Sequence, residues 1–170
     1  FIASLWPEAQ KAGVSRATFD TETRGLEPDY KLPDLILPGR PATGAPSQAE
    51  FVQVPADYVK EASIARLASE GQRLMQKYRG ALADIESRFG VPGPVLVAIW
   101  GMETDFGANQ GNKPIFQSLA TLAYDCRRSE FFTGQLLDAL RILQRGDLSL
   151  GEMKGAWAGE LGQTQFMPSS

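Results

Sequence analysis

At 170 residues the chain has the length of one domain or slightly more, enough to bury a real core. Its 43% hydrophobic and 22% charged residues are ordinary for a globular protein, and a net charge of -3 weighs against nucleic acid as a partner. Histidine is absent and cysteine occurs once, which excludes Ser-His-Asp and Cys-His catalysis, imidazole-bound zinc and an intrachain disulfide. Proton chemistry therefore falls to carboxylates, Tyr, Lys or Cys.

The first stretch, Phe1 to Leu26, predicts a helix broken by Gly13 and a second short one with Ser15 as N-cap. Phe1, Leu5 and Trp6 are expected to pack as one side. No signal peptide opens the chain and no apolar run reaches the ~18 to 20 residues that span a bilayer. The true N-terminus is expected upstream. Six of the eleven prolines fall between Pro28 and Pro55, which forbids a helix and favours extended backbone. Leu32, Leu35, Ile36, Leu37, Phe51 and Val52 are too apolar for a free linker, so a strap with a mobile tip near Ala42 to Ser47 is expected.

Ala56 to Gly90 is the longest helical pattern, with Asp57 as its expected cap, Gly71 and Gly80 as points of kinking or splitting, and Gly90 as its end. Val91-Pro92-Gly93-Pro94 turns the chain, with Pro94 in the first turn of the next helix. That helix, around which the rest is organised, lies in Val95 to Gly107. No charge occurs from Val95 to Met102, so it reads as buried nearly all round. Glu103 then shares a face with Leu96, Ile99, Trp100 and Phe106 at ~3.6 residues per turn. Desolvation of a carboxylate there favours its protonated form, the requirement for a general acid. In the rival reading Gly107 caps the helix and Glu103 escapes to water in the last turn. The residues alone leave both readings open.

Beyond it, SLATLAYDC forms a short apolar helix in which Cys126 is expected to be a buried, inert thiol, and Arg127-Arg128 closes it. Ser129 is the expected cap of the next helix, whose core face is Phe132, Leu136, Leu140 and Leu143, and Gly146-Asp147 stops it. Glycines at 151, 155, 159 and 162 forbid a long helix afterwards, and the chain ends at Ser170 like a fragment. Asp105, two residues from Glu103, faces elsewhere and suits a helix-end hydrogen bond. Glu160 reads as an exposed turn residue. Were it to lie ~5 to 9.5 Å from Glu103 across a sugar, a two-carboxylate glycosidase mechanism would open. In Gly159 to Phe166, Gln163 and Gln165 lie on one side if the segment is extended, and amides with an aromatic ring, here Phe166, suit sugar hydroxyl and acetamido groups. No phosphate loop, calcium loop or other metal pattern appears.

Together, FDTETRGLEPD, ADYVKEASIARLASEGQ, FGVPGPVLVAIWGMETDFG, SLATLAYDCRRSEFFTGQLL and GQTQFMPSS make the sequence resemble the lytic murein transglycosylase B family, periplasmic enzymes that cleave bacterial cell-wall glycan. The resemblance covers almost the whole chain. It implies a mainly α, lysozyme-like catalytic domain truncated at its C-terminus. The expected organisation is a helical segment at 1–27 packing on the core, an extended Pro-rich strap at 28–55 and an incomplete catalytic core at 56–170.

The resemblance also implies a peptidoglycan lyase without cofactor or metal, with Glu103 as its single catalytic acid and then base, aided by the substrate's acetamido group. Its product is a 1,6-anhydromuramoyl end. Gln165 corresponds to a glutamine beside the scissile bond, Tyr58 to a groove tyrosine, and Arg127 and Arg128 to arginines facing peptide or saccharide groups; Gln163 and Phe166 join them as substrate contacts. Ala156 stands where many members have Ser, and Glu160 where many have Ala. The implied setting is the periplasm of a Gram-negative envelope, in a soluble or lipid-anchored protein whose anchor lies outside this chain. The implied partners are glycan strands and other cell-wall enzymes. Two alternatives remain open: a muramidase using Glu103 and Glu160 with water, and a non-catalytic wall-binding scaffold.

Overall fold

The computed structural model describes residues 1–33, 35–39 and 60–170. Its described residues are mainly helical, as the sequence predicts. A 3-10 turn, Ile2–Leu5, leads into seven α-helices: α1 (Trp6–Lys11), α2 (Arg16–Thr23), α3 (Glu61–Lys77), α4 (Arg79–Phe89), α5 (Gly93–Thr104), α6 (Ile115–Tyr124) and α7 (Ser129–Arg145). Two short strands, β1 (Lys113–Pro114) and β2 (Lys154–Gly155), pair antiparallel with Lys113 opposite Gly155. The chain divides into two compact units, one of Phe1–Ala49 with Gly111–Ser170 and one of Glu50–Gln110.

In the first unit the core lies between α6 and α7. Ile115, Leu119 and Ala123 on α6 and Leu136, Ala139 and Leu140 on α7 are all 0% exposed. Full burial of each Leu or Ile contributes about 1.5–3 kcal/mol before entropy is counted. The spacing of the α7 residues is the helical period read from the sequence, and Gly146 closes that helix at φ +76°, where a side chain would be strained. Ser15 caps α2 as expected, its Oγ accepting from the Thr18 N–H at 3.1 Å. Gln144 ties this cap to the end of α7 by accepting from the Ser15 N–H at 2.6 Å and donating to the Gly13 carbonyl at 2.9 Å. Trp6 packs on Phe19 at 5.5 Å, with Leu5 buried beside them in the same core, whereas Phe1 is half exposed against Tyr124.

The described part of the Pro-rich stretch is anchored in this unit. Leu32 and Leu37 are buried, and Asp29 pairs with Lys113 at 2.9 Å while its N–H donates to Thr121 Oγ1 at 2.9 Å. The strap's tip at 42–47, Phe51, Val52, the expected cap Asp57 and Tyr58 lie outside the described residues.

Two expectations fail here. Ser129 does not cap α7: Arg128 holds the N-cap position, and the Ser129 hydroxyl donates back to the Ala123 carbonyl. Cys126 is exposed rather than buried, because α6 ends at Tyr124 and the apolar period that would have hidden the thiol ends with it.

In the second unit α3 packs on α5. A β-carbon at Gly71 would stand 3.3 Å from Val97 Cγ1, so the glycine sets how closely the two helices approach. The long helical pattern does split, but at Tyr78, between the two glycines, and Gly90 ends α4 at φ +71°. Pro94 lies in the first turn of α5 as expected. That helix is not buried nearly all round. Its buried face is Gly93, Val97, Gly101 and Thr104, while Val95 is 47% and Met102 79% exposed. An uncharged sequence shows that a helix can be covered on every side, but says nothing of which sides are.

Candidate active site

Glu103 sits in the last turn of α5 and is exposed, one residue before the helix ends at Thr104. Leu96, Ile99 and Trp100 lie on its side of the helix and are half-buried. The desolvated setting expected from the apolar period is thus not supplied by the described residues. Phe106 does not continue the helical face. The chain turns through three successive left-handed residues, Asp105 at φ +51°, Phe106 at +58° and Gly107 at +91°. For the first two, which carry β-carbons, such backbone costs roughly 1–2 kcal/mol each.

Local contacts offset that cost. The Asp105 carboxylate accepts from Arg66 on α3 at 2.8 Å, the helix-end role read from sequence, and this contact also raises the guanidinium pKa. The Gly107 N–H donates to Thr104 Oγ1 at 2.9 Å. Phe106 folds back beneath the helix onto Gly101, where a β-carbon would stand 2.7 Å from its Cζ, and meets Trp100 edge-on at 5.6 Å. Tyr78 also packs on Trp100 at 5.9 Å, and the indole N–H is enclosed with no hydrogen-bond partner among the described residues. The turn therefore fixes where α5 stops, and with it where Glu103 projects.

Gln163, Gln165 and Phe166 lie together on a tight loop in the other unit. Leu161 bridges to Gly155 on one side and Phe166 on the other, its N–H donating to the Phe166 carbonyl at 2.8 Å. The segment is not extended. Gln165 is left-handed at φ +51°, and its side-chain amide donates to the Gly162 carbonyl at 2.7 Å, closing the turn. Gln163 and Phe166 are exposed, Gln165 and Glu160 half-buried. Gly159, at φ +98°, presses its backbone against Leu119 of α6 closely enough that a β-carbon would collide with that side chain. Asp105, Phe106 and Gln165 are the non-glycine residues with positive φ among those described, and each lies within three residues of Glu103 or on this loop. Such backbone is sparsely populated and persists where the surrounding structure over-determines it.

Arg127 and Arg128 occupy the link between α6 and α7, both exposed, and are not part of either helix. Arg128 lies over the Phe132 ring at 5.1 Å, and Arg127 Nε donates to Asp125 at 3.3 Å. Asp125, only 3% exposed, escaped the sequence reading: its main-chain partner Ile36 lies 89 residues away, and an acidic residue just past an apolar helix was the one available signal. Tyr58 lies outside the described residues. Among the described residues no three Asp, Glu, Cys or His side chains cluster as metal ligands.

The family described as the transglycosylase SLT domain matches residues 1–170. Membrane-bound lytic murein transglycosylase B of Escherichia coli K12 is 38% identical over 95 residues, which are 55% of this chain and 26% of that protein. The crystal structure of SltB3 from Pseudomonas aeruginosa in complex with NAG-NAM-pentapeptide is 34% identical, with a TM-score of 0.79 over 99% of this chain and 42% of SltB3. The SltB3 complex with NAG-anhNAM-pentapeptide gives 0.77 at the same identity and coverage. The chain thus spans about two-fifths of the solved relative and about a quarter of the curated one.

Proposed function

The chain belongs to the transglycosylase SLT domain family, and from that premise we propose that it is the acid–base part of a lytic transglycosylase that cleaves peptidoglycan without water. The observation that carries this is Glu103, projecting from the fixed end of α5 inside a chain whose whole length matches the family. In the proposed reaction the Glu103 carboxylic acid gives its proton to the oxygen between N-acetylmuramic acid and N-acetylglucosamine. The C1–O bond breaks, with the substrate's acetamido oxygen taking up the positive charge at C1. Glu103, now a carboxylate, accepts the proton of the C6 hydroxyl as the C6 oxygen bonds to C1 and the acetamido oxygen departs from it. The acid is regenerated and a 1,6-anhydro ring formed, so one carboxylate serves both steps.

Gln163, Gln165 and Phe166 are assigned to the sugar rings. A side-chain amide both donates to and accepts from hydroxyl and acetamido groups, and an exposed aromatic ring offers its face to a pyranose. Arg127 and Arg128 are assigned to carboxylates of the peptide stem, for which two adjacent held guanidiniums are suited. SltB3 was solved with a pentapeptide-bearing ligand, which supports a stem-recognising role in this chain. No described helix is long and apolar enough to cross a membrane. In this reading the protein works in the bacterial envelope, on the periplasmic side, where its substrate lies.

The test is the mass of the products released from purified peptidoglycan by the full-length protein. Anhydromuramoyl ends are expected. Ends heavier by one water, ~18 Da, would mean hydrolysis and would overturn the non-hydrolytic reading.

A further inference from the structure

One buried carboxylate has no part in the reaction as derived. Asp125 follows the last residue of α6, where the helix exposes its carbonyls and the negative end of its dipole. A carboxylate is disfavoured at that position, and its burial to 3% exposure adds a desolvation cost. Local folding alone therefore does not account for it. Its partners do. One oxygen accepts from the Ile36 N–H at 2.6 Å. The other accepts from both the Arg127 N–H, at 2.8 Å, and Arg127 Nε, at 3.3 Å. The neighbouring Cys126 N–H donates to the Ile36 carbonyl at 2.9 Å, so both backbone groups of Ile36 are held at this point. A single aspartate thus joins the docked end of the Pro-rich segment to an arginine that reaches solvent.

We propose that Asp125 is a positioning residue that presets the Arg127 guanidinium for a carboxylate of the peptide stem on the glycan strand. The proposal rests on the peptidoglycan reading above. A flexible arginine loses side-chain entropy when it captures an anion, and one already anchored loses less. Anchoring at Nε, the nitrogen nearest the backbone, restricts the swing of the whole guanidinium plane. Asp125 touches no substrate in this arrangement; it acts through Arg127, and Ile36 holds Asp125 in turn.

The test compares Asp125→Asn, Arg127→Ala and the double variant of the full-length protein on soluble stem-bearing glycan strands. Asp125→Asn is expected to raise KM about tenfold, the loss of one well-placed charge-assisted contact, with kcat within about twofold. Arg127→Ala is expected to raise KM at least as much, and adding Asp125→Asn to it should change KM no further. Arg127→Lys keeps a cation but removes the Nε anchor, and should behave like Asp125→Asn. It also serves if Asp125→Asn fails to fold. Effects on KM that multiply in the double variant, a fall in kcat with KM unmoved, or an Arg127→Lys variant with wild-type KM would each overturn the proposal. Calorimetric binding of a stem-bearing disaccharide to the same variants carries the comparison without catalysis. A protein that releases no product yet shows the coupled loss of binding would sink the reaction and leave the positioning role standing.

Discussion

In the unit of Phe1–Ala49 and Gly111–Ser170, α6 and α7 together bring six apolar residues to 0% exposure. In the unit of Glu50–Gln110, the described hydrophobic side chains that are buried are Leu74 and Val97, and α4 buries none. The candidate residues of each unit are therefore held by different means. The loop carrying Gln163 and Gln165 is seated on a deep core, through Gly159 against Leu119. The end of α5 carrying Glu103 is held by a left-handed turn, one exposed ion pair and one folded-back ring. The difference teaches where to look for each effect: changes under the loop should be read as stability, and changes under the turn as rate.

Gly159→Ala should give the larger loss of stability. It combines a left-handed backbone with a β-carbon driven into a side chain that has nowhere to move, and overpacking of this kind costs about 1–3 kcal/mol before the backbone strain is added. Urea denaturation checks it, and a variant as stable as wild type would break the contrast from the core side. Gly101→Ala pushes Phe106 off the helix, but that ring lies near the surface and can shift, so stability should fall by only about 1 kcal/mol. Release of muropeptides should fall about tenfold, because a small displacement of the acid is costly in rate. A loss of stability in Gly101→Ala as large as that in Gly159→Ala would erase the distinction.

The smallest effect sharpens the first unit. The Lys113 ammonium, and then the Lys31 N–H, hold the Asp29 carboxyl below its ordinary pKa of 3.8. A lowered folded-state pKa means the contribution is complete above the ordinary value and is lost as pH falls through the lowered one. Asp29→Asn should therefore melt a few degrees below wild type at pH 7, with the gap closing below pH ~3.8. A gap that stays constant down to pH 2 would show that this pair does not anchor the segment.

Much of the helical frame was legible because it is written in local chemistry. Ser15, Pro94, Gly90 and Gly146 act on residues within one turn of themselves, and the α7 core face follows the helical period. The misses are non-local or conformational. Asp125 is explained by Ile36, far away in sequence. The turn after Glu103 uses left-handed Asp105 and Phe106, neither of which announces such backbone as glycine does. Two glycines flank the break between α3 and α4, yet it falls on Tyr78. Glu103 stands out by its pattern, but the cover expected over it was inferred from an apolar run that fixes no direction, and the structure leaves it exposed.

The central claim is that Glu103 carries the proton. The direct measurement is the rate of muropeptide release from purified peptidoglycan by full-length Glu103→Gln, alongside binding to the same material. The account predicts a rate about 10² to 10⁴ below wild type with binding retained. Release at the wild-type rate would contradict it and remove the end of α5 from the chemistry.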